Sequence, residues 1–252
     1  MSAMTGRVLL VTGGSRGIGA ATALEAARDG WRVAVNFLNN RSSAESVVAQ
    51  IAAAGGEACA LLADVSEPEA IQRLFEEVEQ RLGPVTGLVN NAGVVDVKSR
   101  VDAMSATRIA RMFRVNSIGP ILCCAEAVRR MSTLYGGKGG VIVNVSSVAA
   151  RLGSPGQYVD YAASKAAIDA MTKGLALEVS EEGIRVNAVR PGIIATELHA
   201  SGGEPDRVAQ LRGTLPMKRE GSPLEVAQAI VWLLSDKASY ITGSTVDVSG
   251  GR

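Results

Sequence analysis

The sequence predicts an α/β protein built on a doubly wound, parallel, seven-stranded sheet with helices on both faces. Three observations carry this. Short runs of Val, Ile and Leu recur along the chain without polar alternation, as in strands covered on both faces. Longer segments with helical periodicity lie between them. The first strand enters the first helix through a glycine-rich turn, VTGGSRGIG at 11–19, and strand–helix–strand repetition of this kind specifies parallel pairing. Right-handed crossovers then place helices on both faces.

The elements follow in order. RVLLVTG (7–13) is the first strand, and GIGAATALEAARDG (17–30) is a helix that opens and closes on glycine. RVAVNF (32–37) is a strand and SAESVVAQIAAAGG (43–56) a helix. EACALLADV (57–65) is a weaker strand; EPEAIQRLFEEVEQRLG (67–83) is amphipathic, with Pro68 in its first turn and Gly83 as its stop. GLVNNAG (87–93), VIVNVSS (141–147) and IRVNAVRPG (184–192) are strands, separated by helices over 108–131 and 158–180. PLEVAQAIVWLLS (223–235) is the last helix and STVDVSG (244–250) a weaker final strand. No linker or shift in composition divides the chain, so residues 1–252 read as one dinucleotide-binding and catalytic domain. The stretch 195–216 lacks an apolar period, which suits a substrate loop.

Composition excludes several classes. Hydrophobic residues make up 47% and charged residues 20% of the 252, so the chain is no disordered segment. A net charge of +1 gives no long-range field for nucleic acid or an anionic membrane. No run of 18 apolar residues predicts a membrane span, and the N-terminus lacks the pattern of a secretory signal. Cys59, Cys123 and Cys124 fit neither a disulfide framework nor a zinc pattern, and no His/Cys/Asp cluster suggests a metal. A reducing cytoplasm is the expected setting.

Gly13, Gly17 and Gly19 give the turn the spacing G-x-x-x-G-x-G. Glycine permits a sharp turn and close backbone approach, and the helix that follows aims its N–H groups at the turn, which suits a pyrophosphate. In a dinucleotide fold an acidic residue ending the second strand selects NAD. Here Asn36 and Phe37 occupy that region, no carboxylate occurs from 32 to 44, and Arg16 and Arg41 are near. Two cations and no anion favour NADP over NAD.

The ordered set Thr12–Gly19 (TGGSRGIG), Asp64-Val65, Asn90-Asn91-Ala92-Gly93, Asn116, Ser146-Ser147, Tyr161-x-x-x-Lys165 and Pro191-Gly192 with Thr196 resembles the short-chain dehydrogenase/reductase family in its compact form. The resemblance spans nearly the whole chain and is greatest to glucose 1-dehydrogenase-like and 3-oxoacyl-carrier-protein reductase-like members. It implies a Rossmann fold and cofactor contacts from Gly13, Ser15, Arg16, Gly17, Ile18, Gly19 and Asn36. Asp64 would contact the adenine with Val65 beside it; Asn91, Ala92 and Gly93 would support the sheet next to the cofactor. Pro191, Gly192, Ile194 and Thr196 would hold the nicotinamide carboxamide. Asn116 would distort its helix and hold a water leading from Lys165 to solvent. Homotetramers are common in the family, and the apolar MTKGLALEV and AIVWLLS segments suit such contacts.

Tyr161 and Lys165 are four residues apart, so both lie on one helical face. A tyrosine with a pKa near ~10 is a poor base; a neighbouring ammonium and a cationic nicotinamide would lower it. Lys165 would also hold the ribose hydroxyls. Tyr158 has only Ala162 at the matching position, and Asp160 points to another face. Ser147 ends its strand at the sheet's carboxyl edge, where its hydroxyl can stabilise a developing alkoxide, while Ser146 points to the opposite face. The Ser147–Tyr161 interval is one residue longer than usual in the family, the extra residue falling in RLGSPGQYVD. The expected function is an NADP-dependent oxidoreductase acting on a small-molecule alcohol or carbonyl, with Asn116, Ser147, Tyr161 and Lys165 as its catalytic residues. The resemblance leaves 3-oxoacyl thioesters, sugars, steroids and small ketones open as substrates. The alternative is a non-catalytic dinucleotide-binding sensor or scaffold of the same fold. His199, the lone histidine, falls in the 195–216 stretch and reads as a substrate contact or a surface residue.

Overall fold

The computed structural model describes residues 6–197, 202–204 and 206–252; His199 lies outside them. The strands are β1 (Val8–Val11), β2 (Arg32–Phe37), β3 (Ala58–Leu62), β4 (Gly87–Asn90), β5 (Gly140–Val145), β6 (Ile184–Pro191) and β7 (Thr245–Val248). They form one seven-stranded sheet in the order β3-β2-β1-β4-β5-β6-β7. Every pairing is parallel. The order reverses between β1 and β4, which opens a crevice beyond their carboxyl ends.

The sheet is buried on both sides. Along β1, Leu9 and Val11 enter one core while Val8 and Leu10 enter the other. On the first face pack α1 (Gly17–Arg28), α2 (Arg41–Ala53) and α9 (Pro223–Leu234). On the second pack α3 (Pro68–Leu82), α5 (Gly119–Met131) and α7 (Val159–Glu178). In α3 the buried residues are Ile71, Leu74, Phe75, Val78 and Leu82, one stripe at helical spacing. Each such large side chain contributes roughly 1.5–3 kcal/mol on burial. Cys123 and Cys124 belong to this core, and burial pushes the Cys124 thiol up to about 12.

The 108–131 helix is not continuous. A π-helical turn, Arg114–Ile118, separates α4 (Ala106–Phe113) from α5. At the junction a Cβ on Gly119 would lie 2.2 Å from the Val65 carbonyl oxygen, so only glycine lets the helix pass this close to the 64–66 turn. The short α6 (Ala149–Leu152) follows β5. Gly153, Ser154 and Gly156 then take positive φ of 71°, 46° and 67°, and this left-handed stretch absorbs the long Ser147–Tyr161 interval. Part of the 195–216 stretch is ordered: beside the Ile194–Gly221 bridge, Ala195 N donates to the Gly221 carbonyl at 2.9 Å, and α8 (Arg207–Arg212) follows.

Candidate active site

The glycine turn fits a dinucleotide pyrophosphate. Gly13 and Gly17 adopt φ of 61° and 54°. A Cβ on Gly19 would stand 2.3 Å from the Gly13 carbonyl oxygen and 2.5 Å from Asn91 Nδ2. The first helical hydrogen bond at this end runs from Ala20 N to Arg16 O, which leaves the N–H groups of Gly17, Ile18 and Gly19 to face the turn. No side chain caps α1, and its first turn carries no acidic residue. By contrast α2, α4 and α9 are capped by Asn40, Ser105 and Ser222. Ser15 is half-buried in the turn, and the Ile18 side chain packs on the core.

The opposite lip of the crevice is Asn90 to Gly93. Thr12 Oγ1 accepts from Asn91 N at 3.0 Å and Ala92 N at 3.1 Å. Asn91 Nδ2 donates to the carbonyls of Thr12 and Gly13, both at 3.0 Å. The two strand ends are therefore tied to each other rather than held by neighbouring loops. Beyond β6, Pro191 and Ile194 are buried, and Gly192 packs so closely on Ser249 that a Cβ would stand 2.8 Å from its Cα. Thr196 Cγ2 lies 3.3 Å from the Cβ position of Gly17, so this segment folds over the glycine turn. Asp64 Oδ1 accepts from Ser66 N at 2.8 Å. The Val65 side chain turns into the core.

Asn36 is 2% exposed and its side chain points inward: Oδ1 accepts from Gly13 N at 3.2 Å, and Nδ2 donates to the Ala63 carbonyl at 3.0 Å. The side chain braces the glycine turn. Leu38, half-exposed just beyond it, takes the surface position at the end of β2. Arg16 is exposed and pairs with Glu197 at 3.2 Å. Arg41 stacks its guanidinium 5.5 Å from the Phe37 ring.

Ser147, Tyr161 and Lys165 meet at the carboxyl ends of β4 to β6. Ser147 Oγ accepts from Ala149 N at 3.2 Å. It hydrogen-bonds the Tyr161 phenol, favouring the phenolate, but burial outweighs this and raises the phenol above its ordinary value. Ser146 faces the other way, donating to the Lys165 carbonyl at 3.1 Å. Lys165 Nζ donates to the Val145 carbonyl at 2.8 Å. Burial pushes this ammonium down to about 8, opposed by Asp169. Among the protein's own groups, burial of Tyr161 outweighs the lowering expected from the Tyr–Lys spacing. Tyr158 is 4% exposed, with the Arg207 guanidinium 5.0 Å from its ring centroid.

Asn116 sits in the π turn, fully buried. Its Oδ1 accepts from Val94 N at 2.8 Å, and its Nδ2 donates to Val94 O at 2.9 Å and Ser164 Oγ at 3.2 Å. A peptide-like clasp of this kind ties the post-β4 loop to the widened helix. Gly93, between Asn116 and Lys165, has its Cβ position 3.4 Å from Asn116 Oδ1 and 3.5 Å from Lys165 Nζ.

Sequence reasoning missed one brace. Asp160 does not face solvent: its carboxylate bonds Arg108 Nε at 2.7 Å and Nη2 at 3.3 Å, and Oδ1 accepts from Tyr161 N at 2.9 Å. The available signal was an acidic residue in the first turn of a helix that has no capping side chain.

Comparison with known proteins agrees with this geometry. A family model described as enoyl-(acyl carrier protein) reductase matches residues 2–252. The chain belongs to the short-chain dehydrogenase/reductase family. Among members of this oxidoreductase family, it is 56% identical to the uncharacterised oxidoreductase YgfF of Escherichia coli, over 97% of this chain and 99% of that one. It is 40% identical to a 3-oxoacyl-[acyl-carrier-protein] reductase of Synechocystis sp., over 100% and 98% of the two chains. The crystal structure of a dehydrogenase/reductase from Sinorhizobium meliloti superposes with a TM-score of 0.91 at 32% identity, covering 99% of this chain and 96% of that one.

Proposed function

We propose that this short-chain dehydrogenase/reductase uses NADP(H) to interconvert an alcohol and a carbonyl compound, with residues 1–252 acting as one domain. The observation that carries the reading is the convergence of the Ser147 hydroxyl on the Tyr161 phenol, beside a glycine turn fitted to a dinucleotide. When bound, the nicotinamide cofactor supplies or takes up the hydride. Ser147 donates to the substrate oxygen and orients it. Tyr161, protonated at neutral pH because burial raises it, gives its proton to that oxygen in reduction and recovers it in oxidation. Lys165 grips the ribose hydroxyls, and its charge favours the phenolate when the proton leaves. Asn116 holds the post-β4 loop at the distance that keeps Gly93 beside Lys165, and completes the proton path.

The choice of NADP rests on charge. No carboxylate follows β2 up to residue 44, and Arg16 and Arg41 flank its end. The Arg16–Glu197 pair is exposed on both sides, worth roughly 0–1 kcal/mol, so a 2′-phosphate displaces it readily. A tetramer is supported by exposed apolar residues on the expected segments: Leu177 on α7 and Trp232 on α9. Light scattering at micromolar concentration reads that state. No described helix is long and apolar enough to cross a membrane, and free cysteines suit the cytoplasm.

The test of the function is NADPH oxidation against a carbonyl panel, with Tyr161→Phe alongside. Turnover that is lost in Tyr161→Phe while NADPH binding persists supports the reading. Turnover retained in that variant, or lost only in Tyr158→Phe, refutes the assignment. Cofactor binding with no turnover of any carbonyl favours the sensor alternative.

A further inference from the structure

The chain beside Ser147 forms the four-residue helix α6, and none of its residues is buried. Leu152, its one large apolar side chain, is exposed. The left-handed stretch from Gly153 to Gly156 that follows adds no buried side chain either. Apolar burial therefore does little to fix α6, and its ties to the rest of the chain are polar. Just before it, Val148 N donates to the Pro191 carbonyl at 3.1 Å. Within it, Arg151 Nη2 lies 2.9 Å from Asp247 Oδ2 and donates to the Arg252 main-chain oxygen at 3.3 Å.

Both acceptors of Arg151 belong to the frame of the crevice. Asp247, on β7, offers its other oxygen to Arg190 Nη1 at 3.4 Å, and Arg190 Nε reaches Asp169 Oδ2 at 2.9 Å. Asp169 stands on α7, one turn beyond Lys165. The Arg252 oxygen also accepts from Ser249 Oγ at 3.2 Å. Ser249 packs on Gly192, whose N donates to the Val248 carbonyl at 3.0 Å. The Gly250 carbonyl accepts from Met217 N at 3.2 Å, so the same segment also holds the end of the 195–216 stretch. Arg151 thus joins a helix with no buried residue to a fixed frame made of β6, β7 and α7. In turn α6 supports Ser147, because Ala149 N in its first turn donates to Ser147 Oγ at 3.2 Å.

We propose that Arg151 is a positioning residue: bonded to Asp247 and to the Arg252 main-chain oxygen, it fixes α6 and, through Ala149 N, the hydroxyl of Ser147. Its part in reduction rests on the reductase reading above. Arg151 is half-exposed, and Asp247 keeps Arg190 when Arg151 is replaced, so no buried charge is stranded. Arg151→Gln should therefore leave Tm and NADPH affinity close to wild type. Its kcat with a carbonyl should fall about tenfold to a hundredfold with KM little changed, because a misplaced Ser147 loses the transition-state oxygen rather than the bound ground state. Arg151→Lys, which keeps the charge, should recover part of the loss. In a Ser147→Ala background, Arg151→Gln should cost little more. The second measurement is the Tyr161 Cζ resonance of cofactor-free enzyme, assigned with Tyr161→Phe. Ser147 hydrogen-bonds that phenol, so Arg151→Gln should move the resonance and raise the pH at which it titrates, and Arg151→Lys should do so less. Wild-type kcat in Arg151→Gln, a loss that adds fully to that of Ser147→Ala, or an unmoved Tyr161 resonance overturns the proposal. A large fall in Tm or in NADPH affinity overturns it too, because Arg151 would then be holding the fold. A moved Tyr161 resonance in a chain that turns over no carbonyl upholds the tie and sinks the reductase reading instead.

Discussion

Replacing Asp160 by Asn tests how α7 is anchored where it presents Tyr161. The Asp160 carboxylate meets Arg108 at 2.7 and 3.3 Å, with side-chain exposures of 2% and 10%. Asn keeps the volume and the Oδ1 acceptor for Tyr161 N, so the change isolates the charge. Removing one partner of a buried pair costs roughly 3–5 kcal/mol, because the other charge is left uncompensated. Arg108 keeps its bond to the Val97 carbonyl at 2.7 Å, which places the expected loss near the lower end, about 3 kcal/mol. In a chain of this size each kcal/mol moves Tm by about 2–4 °C, so a fall of about 6–12 °C is expected. Urea unfolding of Asp160→Asn, Arg108→Gln and the double variant supplies a cycle. The double variant should lose much less than the sum of the singles. A single-variant loss below about 1 kcal/mol, the range of an exposed pair, or strict additivity in the cycle, would refute the brace.

Arg16→Ala should weaken NADPH binding about tenfold to a hundredfold and NADH binding little, as expected for one lost charge-assisted contact; equal losses for both cofactors contradict the phosphate assignment. Gly19→Ala forces a methyl to 2.3 Å from the Gly13 carbonyl and should cost about 1–3 kcal/mol of stability together with dinucleotide affinity. Gly213→Ala, where nothing lies within 4 Å, is the control that should change neither. Lys165, held at about 8 by burial, gives a signed pH effect. Between that value and the unfolded value near ~10.4 the unfolded chain binds more protons. The stability of cofactor-free wild type relative to Lys165→Met should therefore climb as pH rises through this window, and a flat difference is the contrary result. Because burial raises the Tyr161 phenol, reduction rates should decline and oxidation rates increase with rising pH; parallel profiles in the two directions would contradict its role as the proton carrier.

The strands were legible because a parallel sheet buries both faces, so each reads as an apolar run. Their carboxyl ends were read too long, and always at the site. The expected 7–13, 87–93 and 141–147 become Val8–Val11, Gly87–Asn90 and Gly140–Val145. Of the missing residues, Thr12 and Gly13 bond Asn91 and Ala92 across the crevice, while Ser146 turns to the Lys165 carbonyl and Ser147 to Ala149 N. Asn36 carries a signal for its side chain. A lone amide inside VAVNF must be buried by its neighbours' pattern, and a buried amide must find partners; Gly13 N and the Ala63 carbonyl are those partners. The π turn at Asn116 has no local mark, since its cause is a backbone segment 22 residues away, at Val94.

Tyr161 and Lys165 divide the same way. Their shared face follows from spacing alone, and the structure keeps them on it. Their protonation does not follow from spacing, because Lys165 is desolvated by the sheet and turned to Val145, a residue 20 positions back on β5. A lysine so placed holds its charge only weakly at mildly alkaline pH. Anything that adds negative charge or ribose hydroxyls at the crevice strengthens that hold and, through it, the phenolate of Tyr161. On the proposed mechanism the tyrosine's ability to give up its proton is therefore a property of the loaded crevice, and the dinucleotide proposed to fill it would also arm the residue beside it.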